Sequence, residues 1–89
     1  MVKLKPGAVP TTWPELQQTA RAHHEIVSQV AKERPSRGRE KKVETLRWNY
    51  RQITDAYDVI KAQPGFEAST AERAEITRTM PSHLLEDLA

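Results

Sequence analysis

Six cationic side chains, Lys32, Arg34, Arg37, Arg39, Lys41 and Lys42, fall within the eleven residues KERPSRGREKK. Their chemistry is that of anion recognition. The three arginines carry planar forks that match phosphate or carboxylate oxygens, and the lysines add point charge beside them. Glu33 and Glu40 leave a local excess of +4, against +2 for the whole chain. The plainer reading is a solvated turn. Lys32 and Arg34 near the end of one helix favour its dipole, whereas Lys41 and Lys42 in the first turn of the next oppose it, at a cost of about 0.3 to 1 kcal/mol per site.

No other constellation competes with this one. His23 and His24 precede Glu25, but a zinc-protease helix needs two histidines four residues apart flanking a glutamate, and the residue four after His24 is Ser28. His83 is the remaining histidine. Ser28 has His24 and Glu25 within one helical turn, yet a helix face offers neither a pocket nor oxyanion donors. Asp55 and Asp58 have Arg51 and Lys61 at pairing distance along a helix, which makes them surface partners rather than an acid-base pair. Gly7, Gly38 and Gly65 are isolated and each lies near a proline, so no phosphate-cradling loop is present. With no cysteine, thiolate ligands and thiol nucleophiles are excluded. The expectation is a protein that is not an enzyme and uses no metal, cofactor or small-molecule substrate.

The elements that must position the cations are helical. Thr12 and Glu15 form the pattern of a capping box, with Pro14 in the first turn. Trp13, Leu16, Ala20, His23, Val27 and Val30 then recur at spacings of 3 and 4, which predicts a helix over about 12–33. Pro35 and Gly38 interrupt it. A second stripe, Val43, Leu46, Tyr50, Ile53, Tyr57 and Ile60, predicts a helix over about 39–62 that stops at Gln63, Pro64 and Gly65. Two such stripes bury each other when the helices fold back antiparallel, with residues 34–38 as a basic tip. Ser69 and Glu72 form another capping-box pattern, opening a weaker third helix through about Thr79. Pro6, Gly7 and Pro10 make residues 1–11 an extended arm, and residues 64–89 an acidic helical tail.

The fold class expected is therefore all-α: an antiparallel helical hairpin, a weaker C-terminal helix and an extended N-terminal arm. Two features suggest a protein interface. Trp48 falls off the second stripe onto a largely polar side, where a wide core, a protein partner or a stacked base could cover it. Leu84, Leu85 and Leu88 either close the open end of the hairpin or dock on another chain.

Composition points the same way, since 89 residues with 37% apolar and 29% charged content make a thin core. A partner or a second copy would complete it. No apolar run approaches the roughly 18 to 20 residues of a membrane span, and the N-terminus lacks a signal-peptide apolar region. The chain reads as soluble and cytoplasmic or otherwise intracellular. The leading expectation is a small helical protein-protein interaction or assembly subunit. The alternatives are a nucleic-acid-binding hairpin that uses the tip, and a structural component of a viral or ribonucleoprotein particle. If the tip meets a phosphate backbone, replacing Arg37 and Arg39 together by alanine weakens binding and its salt dependence without altering thermal stability, because a solvated turn carries little packing.

Overall fold

The computed structural model describes residues 9–80 together with Leu85, Glu86 and Leu88. Three helices follow in chain order: α1 over Trp13–Ala31, α2 over Arg37–Lys61 and α3 over Thr70–Thr79. There is no strand among the described residues. No helix among them is long and apolar enough to cross a membrane.

Helix starts follow the polar residues that precede them. The Thr12 side chain accepts from the Glu15 amide at 3.4 Å, as the capping-box pattern requires. The return bond is displaced by one residue, because Glu15 accepts from the Thr11 amide instead. At α3 both halves of the box form between Ser69 and Glu72. At α2 the Ser36 side chain accepts from the Arg39 amide at 3.1 Å, so the helix begins at Arg37 rather than near Arg39. Gly38 thus lies inside the first turn, where glycine costs about 1 kcal/mol relative to alanine, less than a formed cap can return. After α2 the chain turns at Gly65, whose φ of 79° is the one left-handed conformation among the described residues.

The helical hairpin is antiparallel. Leu16 and Ala20 near the start of α1 meet Ile53, Ala56 and Ile60 near the end of α2, and Val27 and Val30 meet Val43 and Leu46. The stripe on α2 is broader than its apolar spacing suggests: Asn49 and Ala56 are buried, while Tyr50 and Tyr57 are only partly so. The small Ala56 side chain packs with Leu16 and Ala20 of α1.

α3 packs on α1 at the open end, where its apolar contribution is limited to Ile76, with Met80 just beyond it. Polar and aromatic contacts make up the difference. The Trp13 indole donates to the Glu72 carboxylate at 2.7 Å, and Arg21 pairs with Glu75. These bonds hold both carboxylates below the usual range, at Glu72 through the Ser69 amide first and the Trp13 indole next, and at Glu75 through Arg21. Trp13 also packs against Tyr57 and Phe66 at 5.8 and 5.5 Å between ring centroids. Of the N-terminal arm, Val9 packs on this same cluster and Pro10 is buried; residues 1–8 lie outside the described residues.

Leu85 and Leu88 do not close the open end. They are buried at the opposite end, against Val27, Val30, Val43 and Leu46. Two of the three leucines expected to close the open end or to dock on another chain thus bury their side chains against the chain's own core. Leu84 lies outside the described residues.

Candidate anion-binding face

The tip is built by a stop and a start in close succession. α1 ends when the Lys32 and Glu33 amides tighten onto the carbonyls of Gln29 and Val30 at 3.1 and 3.0 Å, and Pro35 then prevents continuation. Ser36 is extended and caps α2. Residues 32 to 38 are all exposed. This brings the cations of both helix ends together, but they divide into two groups.

Arg39 and Lys42 are used within the chain. The Arg39 guanidinium donates from Nε to the Val30 carbonyl at 3.3 Å and from Nη1 to the Leu88 carbonyl at 3.2 Å. One side chain thereby ties the end of α1, the start of α2 and the tail. Lys42 pairs with Glu33 across the tip at 2.6 Å, an exposed contact worth about 0 to 1 kcal/mol. Lys32, Arg34, Arg37 and Lys41 are exposed and have no ion pair with another described residue.

The bonds of Arg39 run against the expectation that replacing Arg37 and Arg39 together leaves thermal stability unaltered. Arg39→Ala should lower stability by about 1 to 2 kcal/mol, because charge-assisted bonds to two partly buried carbonyls are lost together. Arg37→Ala should leave the melting temperature within error of the parent. Thermal denaturation of the two single variants checks this, and equal melting temperatures would remove Arg39 from its structural role.

The outward cations continue along α2. Arg37, Lys41, Glu44, Trp48 and Arg51 recur at spacings of 4, 3, 4 and 3, on the side opposite the buried Val43, Leu46 and Ile53. Arg47 flanks this row. Two shallow open depressions lie along it, of about 490 and 480 Å³. The first is lined by Arg37, Arg39, Lys41, Val43 and Leu88 among others, the second by Thr45, Trp48 and Arg51. Glu44 and Arg47 line both, so the two depressions are neighbours. Trp48 is partly buried and already has an interaction within the chain. The sequence reading confined the candidate cations to the tip and did not include Arg47 and Arg51, which line these depressions. The signal was present in the 3 and 4 spacing of Arg37, Lys41, Trp48 and Arg51, which mirrors the core stripe on the other side of the helix.

The remaining candidates are not assembled. His23 is 5% exposed and faces the Tyr50 ring at 6.3 Å between centroids. Burial, reinforced by the neighbouring His24, lowers its pKa to about 4, so its imidazole is neutral near pH 7. His24 Nδ1 is buried without a hydrogen-bond partner. Ser28 Oγ donates to the His24 carbonyl at 3.0 Å, a bond along the helix rather than toward an acceptor base. Lys61 pairs with Asp58 at 3.3 Å. Among the described residues no three of His, Cys, Asp and Glu are grouped to hold a metal ion.

No family model matches this chain, and searches of curated proteins and of solved structures likewise found no match.

Proposed function

We propose that this chain is a non-enzymatic helical binding subunit that meets an anionic partner through the tip and the outer face of α2. The observation that supports it is a division of side chains. Apolar groups turn inward, with Val59 the one large apolar side chain exposed among the described residues, at 64%. Cations turn outward along one face. A surface of this kind recognises its partner by charge and hydrogen bonding more than by apolar burial. A protein assembly contact is the second reading, favoured by Trp48, since tryptophan anchors are enriched at interfaces. On that reading the partner, or a second copy of the chain, presents carboxylates to Arg37, Lys41, Arg47 and Arg51.

Retention on an immobilised sulfated polysaccharide tests the proposal. Arg37→Ala and Lys41→Ala should each elute at lower salt than Arg78→Ala, which removes the same charge from α3. Equal elution of the three would show that net charge alone governs retention and would set the proposal aside. Light scattering at tens of micromolar, without the polyanion, reads self-association separately.

A further inference from the structure

We infer that the anionic partner is a single-stranded nucleic acid, its phosphates following the α2 cations and a base lying against Trp48. This rests on the proposed role of the α2 face and narrows it to one partner class.

The spacing of the α2 cations supports the inference. At about 1.5 Å rise per residue, Arg37 and Lys41 are about 6 Å apart along the helix, Lys41 and Arg47 about 9 Å, and Arg47 and Arg51 about 6 Å. An extended strand presents one monoanionic phosphate per nucleotide at spacings of this order, and arginine forks pair with phosphate oxygens in two-point contacts. The row spans about 21 Å in all, enough for a few nucleotides. Glu40 and Glu44 temper the charge along the face, which leaves an excess of two among Arg37, Glu40, Lys41, Glu44, Arg47 and Arg51. That balance fits modest affinity with strong salt dependence.

Trp48 distinguishes the partner. It lines the same depression as Arg47 and Arg51. An acidic peptide supplies charge but no regular planar rings, and a duplex keeps its bases stacked on one another. A single strand offers both phosphates and free base faces, and arginines beside an aromatic ring are the elements from which single-strand binding surfaces are made.

Intrinsic fluorescence and anisotropy on the full chain test this. The probes are a labelled single-stranded oligonucleotide, the duplex of the same sequence, and polyglutamate of matched charge. The single strand should bind more tightly than the other two and quench tryptophan emission. Trp48→Leu should abolish the quenching and weaken binding by roughly five- to a hundredfold, the range reported by removal of one stacking ring. Trp13 remains in that variant but is packed among Tyr57 and Phe66 and should not respond. Trp48→Phe should restore most of the affinity, and circular dichroism should show unchanged helix content in both variants. If polyglutamate and duplex bind as well as the single strand and Trp48→Leu changes nothing, the nucleic-acid inference fails while the anionic-partner reading stands. If none of the three binds, both fail.

Discussion

Leu46→Ala should destabilise the chain by about 2 to 5 kcal/mol, the cost of deleting a large apolar side chain that cannot be replaced by collapse of its surroundings. Leu46 is 0% exposed and lies where α1, α2 and the tail meet, among Val27, Val30, Val43, Leu85 and Leu88. A domain of this size has only about 5 to 10 kcal/mol in total, so the loss is a large share of its stability. The same substitution at Ile53, which is 2% exposed in the other cluster, should cost a similar amount. Equilibrium urea denaturation checks both against Glu25→Ala on the exposed side of α1. A Leu46→Ala effect no larger than that control would mean that the tail and hairpin do not pack as described.

Lowering the pH from about 6.5 to 4 should remove about 3 kcal/mol through His23 alone. His23 is buried as a neutral base with its pKa lowered to about 4 from an ordinary 6.5, principally because burial penalises the imidazolium. In the unfolded chain the imidazole takes up its proton first as pH falls, so acid favours unfolding. The stability from this group is complete above about pH 6.5, and most of it is gone by pH 4.5. Glu72 and Glu75, whose values are lowered by hydrogen bonds, lose their contributions only below the ordinary carboxylate value of 4.5. The interval from pH 6.5 to 4.5 therefore separates histidine from carboxylate effects. Urea denaturation across that interval should show a steep dependence in the parent and a flatter one in His23→Leu. The same slope in both would assign the acid sensitivity elsewhere.

The hairpin was legible because Leu16, Ala20, Val27 and Val30 on one helix and Val43, Leu46, Ile53 and Ile60 on the other keep a helical period. The third helix was legible from Ser69 and Glu72 rather than from apolar content. Less accessible were the features that depend on tertiary distance. Nothing in the spacing of Leu85 and Leu88 says which end of the hairpin they reach. Arg39 resembles its neighbours in sequence, and only the return of the Leu88 carbonyl to the tip gives its guanidinium a structural partner. Asn49 and Ala56 lie off the predicted stripe, and their burial shows only in the packed hairpin. Trp48 was marked by falling off the core stripe, but its alignment with Arg37, Lys41 and Arg51 emerges only when the outer face is read with the same period as the inner one.

The salt dependence of polyanion binding tests the central claim, that the outer face of α2 engages its partner through charge. A labelled single-stranded oligonucleotide serves as a polyanion of known counterion behaviour, and its affinity is measured by anisotropy across a series of salt concentrations. With Arg37, Lys41, Arg47 and Arg51 engaged, the logarithm of affinity should fall against the logarithm of salt with a slope of about −3, at roughly −0.7 per phosphate neutralised. Arg37→Ala combined with Lys41→Ala should flatten that slope by about 1 to 1.5. Binding no tighter than about 100 μM at low salt, where non-specific binders already show affinity, or a slope unchanged in the double variant, would contradict it.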